Sequence, residues 1–226
     1  MRQDLRARLR SEKSFARKAG KMKPRALLLI VCEDSISAPA YFKALRAKLR
    51  LSTAEVEVYG KECGSAPINV VTFALERKKA RKKEGSPPDR VFAVVDVDHH
   101  TTLDKARDFA RGNGLDIVVS CPCFERWYLL HFERGDRPFD SYDHLAKYLA
   151  THLPGYDKGS FVRFDLLWPL LHSALANAER LRRSRAEDPD QAAYTDVDLV
   201  IRTMHEAAGS LPLPSLADET KDLRKR

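Results

Sequence analysis

Continuous apolar runs alternate with helically periodic segments along the first half of the chain. Each apolar run is typical of a strand covered on both faces of a parallel sheet, and each periodic segment predicts a helix. The strands are predicted at 26–32, 56–59, 91–97 and 115–120, and the helices between them at 38–51, 67–83 and 103–111. This alternation predicts an α/β fold, a parallel four-stranded sheet with covering helices.

The second half of the chain shows only helical periodicity. A helix is predicted from Pro122 to Phe132, and three more are predicted at 142–153, 166–185 (bent by Pro169) and 196–208. An α-helical C-terminal part therefore follows the sheet. We divide the chain into a basic N-terminal arm (1–24), an α/β domain (25–135), a helical extension packed on it (136–209) and a flexible tail (210–226).

The formal net charge of +8 belongs to the N-terminal arm and not to the body of the protein. Residues 1–25 hold ten basic and two acidic side chains, whereas the remaining 201 residues hold 30 of each. Clustered basic residues supply sequence-independent affinity for a nucleic-acid backbone. We therefore expect nucleic acid, DNA or RNA, as a partner, with the arm contributing to its binding.

Composition excludes several classes of protein. No apolar run reaches the roughly 18 residues of a membrane span, and the basic start has no apolar core of a secretory signal. Four cysteines among 226 residues do not suggest a disulfide scaffold. We therefore expect a reduced, cytoplasmic protein without a membrane partner.

Acidic residues follow three of the predicted strands, at the edge where ligands of parallel sheets gather. Glu33 and Asp34 follow the first strand, Asp96 and Asp98 end the third, and Glu125 follows the fourth. Converging carboxylates suit Mg²⁺ or Mn²⁺, and such an ion activates water and stabilises charge on a phosphodiester. An Asp after a strand is also a common helix cap or turn residue, so a lone D-x-D pair is weak evidence.

Short motifs follow the strand ends over roughly residues 25–135. They are Glu33, Tyr41-Phe42, Asp96-Val97-Asp98 and the block Pro122-Cys123-Phe124-Glu125, followed by Trp127 and His131-Phe132. In these motifs the chain resembles the RloB-like family. The resemblance implies a Toprim-like fold in which Glu33, Asp96 and Asp98 hold Mg²⁺ or Mn²⁺. It also implies a role in restriction-linked or abortive-infection defence, beside a separate ATPase subunit.

Two positions depart from the family pattern. The Thr-Glu pair that usually follows the first acid is replaced by Ser37-Ala38, and Cys121 stands where an Asn commonly precedes the proline. The chain therefore has one carboxylate fewer than the pattern, and the number of bound ions is left open at one or two.

Three functions remain under consideration. The leading hypothesis is a Toprim-like, divalent-metal-dependent nuclease acting in antiviral defence, with Glu125 as an outer ligand or base. The alternative is a catalytically degenerate Toprim-like subunit that partners an ATPase and binds nucleic acid. A haloacid-dehalogenase-like phosphatase ranks last, because its aspartate follows the first strand, where this chain has Glu33. The chain contains no Gly-rich phosphate loop, so an ATPase would be another chain.

Histidines and a basic run are candidates for contact with nucleic acid. His99 and His100 follow the D-x-D pair directly, and the charged helix end contributes Lys78, Lys79, Arg81 and Lys82. A basic helix end is also commonly a solvated end favoured by the helix dipole, so both interpretations stay open.

Other metal-ligating residue types have simpler explanations. His131 shares a helical stripe with Phe124 and Trp127, which predicts a core histidine. The Cys-x-Cys spacing of Cys121 and Cys123 favours packing cysteines over a structural zinc site.

Overall fold

The computed structural model describes residues 26–58, 66–97, 102–157, 163–187, 193–209 and 213–214. The predicted arm and the predicted site residues Asp98, His99 and His100 lie outside this part of the chain. Within it, the strands are β1 (Leu28–Cys32), β2 (Ala54–Val58), β3 (Arg90–Asp96), β4 (Asp116–Cys121) and β5 (Tyr194–Thr195).

The α-helices of the described ranges flank these strands and continue beyond them. They are α1 (Ser37–Lys48), α2 (Pro67–Lys83), α3 (Leu103–Gly112), α4 (Glu125–Leu129), α5 (Tyr142–Leu149), α6 (Phe164–Leu167), α7 (Leu171–Glu187) and α8 (Val197–Ala207). A 3₁₀ turn, Trp168–Leu170, joins α6 to α7. None of the helices described is long and apolar enough to cross a membrane.

The described strands form one mixed sheet in the order β2-β1-β3-β4-β5. The first four strands are parallel, as predicted, whereas β5 pairs antiparallel with β4 through Ser120–Thr195 and Cys121–Tyr194. The sheet therefore has one strand more than predicted. A strand of two residues shows no periodicity, so the helical pattern of the second half concealed it.

Two apolar cores cover the two faces of the sheet, because successive side chains of a strand point to opposite faces. Leu28 and Ile30 of β1 belong to the core that α1, α4, α5, α7 and α8 complete. Leu29 and Val31 belong to the second core, which α2 and α3 cover. Helices α1 and α2 therefore lie on opposite faces of the sheet.

Prolines mark several helix boundaries. Pro67 begins α2, and Pro39 lies in the first turn of α1, where a missing N–H costs no hydrogen bond. Pro169 lies in the 3₁₀ turn, so the predicted bent helix is divided into α6 and α7. The predicted helix at 122–132 is shorter than expected, since only Glu125–Leu129 is α-helical.

Candidate active site

Glu33 and Asp96 meet at the carboxyl edge of the sheet, as their positions after adjacent parallel strands predict. The register aligns Cys32 of β1 with Val94 of β3, and the Glu33 amide donates to the Val94 carbonyl at 3.0 Å. The Asp96 amide donates to Glu33 Oε2 at 3.1 Å. The backbone at the end of β3 thus holds the Glu33 carboxylate in place, and both acidic residues are half-buried.

Asp34 serves the start of α1. Its two carboxylate oxygens accept hydrogen bonds from the amides of Ile36 at 2.7 Å and Ala38 at 2.8 Å. These amides belong to the first turn, whose N–H groups have no partner within the helix. Asp34 therefore stabilises the start of α1 from two residues before its N-cap, Ile36, which agrees with the simpler interpretation of a strand-end Asp.

Glu125 is fully buried, and hydroxyl groups from distant parts of the chain surround its carboxylate. Its Oε1 accepts from Ser37 Oγ at 2.7 Å and from the Tyr156 hydroxyl at 2.8 Å. The Tyr128 hydroxyl donates in turn to the Ser37 carbonyl at 2.9 Å. Glu125 thus joins the first turn of α1 to the C-terminal half of the chain.

The negative charge of Asp96 is felt by two buried thiols. Burial raises the pKa of Cys32 well above its usual value, and the charges of Asp34 and Asp96 add to the effect. Burial also raises the pKa of Cys123, with contributions from Glu125 and Asp96. Both thiols therefore stay protonated at neutral pH, consistent with the predicted packing role of Cys123.

The carboxyl edge offers the oxygen donors of Glu33 and Asp96 to a divalent ion. Among the residues described, no three His, Cys, Asp or Glu side chains are grouped to hold a metal. The predicted third ligand, Asp98, falls outside the described ranges. Mg²⁺ is usually held by one or two carboxylates together with substrate phosphates and water. The paired oxygen donors of Glu33 and Asp96 fit that chemistry.

Arg126 is a buried charged residue that sequence reasoning missed. Its Nε donates to the Cys121 carbonyl at 2.9 Å, and its Nη1 donates to the carbonyls of Gly135 at 2.8 Å and Arg137 at 2.7 Å. The guanidinium also lies 5.1 Å from the centre of the Phe139 ring. Burial lowers its pKa. Through these hydrogen bonds, Arg126 connects the end of β4 to the loop after α4.

The loop that receives Arg126 requires a glycine. Gly135 adopts a φ of +71°, and a Cβ at this position would overlap the Leu130 side chain. Only glycine takes this conformation without cost and leaves that space. For the burial of Arg126, the signal available in the sequence was its position between the aromatic residues Phe124 and Trp127, which are both fully buried.

His131 is a core histidine, as its helical stripe predicts. The side chain is 2% exposed, and its Nδ1 lies 3.0 Å from the Trp127 carbonyl oxygen. A carbonyl only accepts, so Nδ1 carries the proton, and Nε2 can accept from the Tyr41 hydroxyl at 3.4 Å. Burial lowers the pKa of His131 to about 4, which makes the ring neutral at physiological pH.

The basic end of α2 lies at the opposite edge of the sheet from Glu33 and Asp96. Lys78 Nζ donates to the carbonyls of Asn113 and Gly114, just before β4 begins, at 2.9 Å each. Arg81 pairs with Glu55 of β2 at 2.7 Å. Of the four residues predicted to contact a nucleic-acid backbone, Lys78 and Arg81 thus have partners within the protein, whereas Lys79 and Lys82 are exposed.

Comparison with known protein families gives one match. The model of the family described as RloB-like protein matches residues 28–204. This range includes β1 to β5 and most of α8, so it extends well beyond the motifs around the carboxyl edge. The same comparisons found no match among curated proteins or among solved structures.

Proposed function

The chain belongs to the RloB-like protein family, and we propose that it is a Toprim-like nuclease that depends on Mg²⁺ or Mn²⁺. It would hydrolyse phosphodiester bonds of DNA or RNA in antiviral, abortive-infection or restriction-linked defence. The observation that carries the proposal is the pair Glu33 and Asp96, joined through the Asp96 amide at 3.1 Å. These carboxylates lie at the edge where α/β proteins bind their ligands.

Each acidic residue has a role in this proposal. Glu33 and Asp96, together with Asp98, hold the ion, and the Asp96 amide positions the Glu33 carboxylate. A bound divalent ion supplies activation of water and neutralisation of phosphodiester charge. Glu125, predicted as an outer ligand or base, is buried between Ser37 and Tyr156, which favours a positioning role for it.

Basic groups around this acidic edge would attract a polyanion that the carboxylates themselves repel. We propose that His99 and His100, directly after the D-x-D pair, contact the substrate near the site. The arm and the exposed Lys79 and Lys82 add affinity for the backbone. An ATPase, if one takes part, is a separate cytoplasmic chain.

The test replaces one ligand and leaves the fold in place. Asp96→Asn is expected to lower Mn²⁺-dependent cleavage of DNA or RNA by on the order of 100-fold, since even outer partners of metal ligands contribute 10–100-fold. Calorimetry should show loss of Mn²⁺ binding in the same variant. The matched control is Asp116→Asn, because Asp116 begins β4 at the opposite edge and pairs with Arg90 at 2.7 Å. Cleavage by Asp96→Asn at the wild-type rate would refute the proposal.

The second candidate is a degenerate Toprim-like subunit that binds nucleic acid beside an ATPase. Two observations favour it: Glu125 is fully buried, and Ala38 stands where the resemblance implies a Glu. The same measurements distinguish the two functions. A wild-type chain that binds oligonucleotides but neither binds Mn²⁺ nor cleaves would support the degenerate subunit.

A further inference from the structure

A basic surface without acidic residues follows the first strand. Residues 35–54 contain four basic side chains and no acidic one. Lys43, Arg46 and Arg50 recur at i, i+3 and i+7, the spacing that brings side chains to one face of a helix. Together with Ala47, Leu51 and Ser52 they line an open cavity of about 460 Å³, called here the α1 pocket.

Two cations of the α1 pocket, Lys43 and Arg46, differ from the cations of α2 in their surroundings. On α2, Arg77 and Arg81 are paired with Glu57 and Glu55. Neither Lys43 nor Arg46 forms an ion pair with any residue in the described part of the chain. The Nε of Arg46 donates to the Leu51 carbonyl at 3.2 Å, which fixes the guanidinium at the pocket wall. The pocket thus presents cationic donors to an external anion.

Arg50 adopts a strained backbone conformation at the pocket. Its φ is +50°, and it directly follows Leu49, the cap of α1. Glycine or asparagine usually occupies this left-handed position after a helix, because the conformation is unfavourable for other residues. Strain that a glycine would relieve favours a role for the Arg50 side chain itself. That side chain adds a third positive charge to the pocket.

We propose that the α1 pocket binds successive phosphates of a nucleic-acid backbone. Lys43 and Arg46 lie about one helical turn apart on α1, and Arg50 follows the cap of the helix at the same open cavity. Three cations around one open cavity can contact more than one phosphate. A nucleic-acid backbone supplies neighbouring phosphates, whereas a single small anion would use only part of the site.

Helix α1 runs between the α1 pocket and the acidic edge of the sheet. Helix α1 begins four residues after Glu33, and Lys43 lies about 9 Å along the axis from Ser37. The pocket itself lies towards the opposite edge of the sheet, because the Thr53 carbonyl, next to Ser52, accepts from the Leu28 amide at the start of β1. A backbone that leaves the pocket along α1 towards Ser37 would reach Glu33 and Asp96. That it is the strand to be cleaved rests on the proposed nuclease function.

The experiment measures binding without cleavage. The full chain, including its arm, is titrated against fluorescent 20-nucleotide DNA and RNA, single- and double-stranded, in EDTA at several salt concentrations. Lys43→Gln/Arg50→Gly removes two pocket charges, and the control Lys105→Gln/Arg111→Gln removes two exposed charges from α3, on the opposite face of the sheet. For duplex DNA, the pocket variant should lower the slope of log K against log salt by about 1.8, with affinity on the order of tenfold weaker at 0.1 M salt.

The control is expected to bind within about twofold of the wild type. A pocket variant with the wild-type slope would overturn the proposal, as would equal losses in both variants, which would show an effect of net charge alone. The wild type and the pocket variant are also tested for binding to anionic lipid vesicles. A pocket variant that loses vesicle binding but binds oligonucleotides like the wild type would also overturn the proposal. EDTA removes the divalent ion, so the binding measured here does not depend on whether the chain cleaves nucleic acid. A loss of binding in the pocket variant would not contradict the proposed nuclease function either.

Folding is checked on the same samples. Arg50→Gly is expected to keep or raise the thermal midpoint, since glycine takes the left-handed conformation without strain. If the double variant does not fold, Lys43→Gln alone gives the answer, with an expected slope change of about 0.9 for duplex DNA. An unchanged slope in that single variant would overturn the proposal. Arg50→Lys keeps the charge and should retain wild-type affinity.

Discussion

Two sets of acidic side chains gather near the carboxyl edge of the sheet in contrasting surroundings. Glu33 and Asp96 are half-buried and are joined through a backbone amide. Glu125 is fully buried, and its carboxylate accepts from the hydroxyls of Ser37 and Tyr156. All three follow predicted strands, yet their partners differ. The contrast teaches that a position after a strand brings a carboxylate to the edge, while partners distant in sequence decide whether it remains accessible.

The same contrast extends along α4. Arg126 and His131 are buried with Glu125, and each has polar partners within the protein. A buried polar or charged group is costly unless it is hydrogen-bonded. We therefore expect substitutions in and beside α4 to change stability, and substitutions at Glu33 and Asp96 to change chemistry.

The largest expected effect is that of Arg126→Met. The apolar part of the side chain is largely kept, but the carbonyls of Cys121, Gly135 and Arg137 lose their donor. Buried polar groups left without a partner cost 1–3 kcal/mol each, so the free energy of unfolding should fall by about 4 kcal/mol. Urea unfolding followed by circular dichroism measures the change.

Asp96→Asn and Arg111→Met provide the contrast for that measurement. Arg111 is exposed on α3, where it pairs with Asp108 at 3.3 Å, and its substitution should cost less than about 0.5 kcal/mol. Asp96→Asn should cost about 1 kcal/mol or less. The distinction between the two regions would be wrong if Asp96→Asn destabilised the protein as much as Arg126→Met.

His131 should make stability depend on pH. Its pKa is about 4 in the folded protein and 6.5 without burial, so the unfolded chain binds the proton first as the pH falls. The stability that neutral His131 contributes is present above pH 6.5 and is lost as the pH falls towards 4. The loss amounts to about 3 kcal/mol, and His131→Gln should remove that part of the pH dependence.

The comparison for His131 is His144, whose side chain is 62% exposed. Urea unfolding between pH 4 and pH 7 would be recorded for the wild type, His131→Gln and His144→Gln. His144→Gln should retain the wild-type pH dependence. An unchanged pH dependence in His131→Gln would show that the buried ring takes up no proton on unfolding.

The smallest expected effect compares two tyrosine hydroxyls that donate to carboxylates. The Tyr156 hydroxyl donates to the buried Glu125 at 2.8 Å, and the Tyr148 hydroxyl donates to the partly exposed Glu133 at 2.7 Å. Tyr156→Phe should cost about 2 kcal/mol, typical of a hydrogen bond to a charged group. Tyr148→Phe should cost less than about 1 kcal/mol, because water can replace the lost donor. Equal losses in urea unfolding would show that burial does not distinguish the two carboxylates.

Much of the sheet followed from local patterns, and much of the site did not. The apolar runs of β1 and β3 predicted both strands, and their parallel order brought Glu33 and Asp96 together as expected. The burial of Glu125 and Arg126 could not be predicted, because it depends on Ser37, Tyr156 and the Gly135 loop. Those contacts join residues that no local period connects.

The predicted contacts with nucleic acid show a similar division. The basic run of α2 was evident in the sequence, but the partners of Lys78 and Arg81 lie on other elements. The α1 pocket was not apparent, since three dispersed cations become a surface only after the helix forms and Arg50 turns the chain. A dense basic run is easier to see in a sequence than a basic surface is.

The strand β5 has a consequence for how the protein is made. Its two residues, Tyr194 and Thr195, pair with the end of β4, which is synthesised about 70 residues earlier. At 5–20 residues per second, that edge of the sheet emerges roughly 4–15 s before its partner exists. An unpaired strand edge is open to pairing with other chains. Until β5 has been synthesised, the end of β4, at the edge of the sheet that carries the acidic residues, lacks the strand that pairs with it in the folded protein.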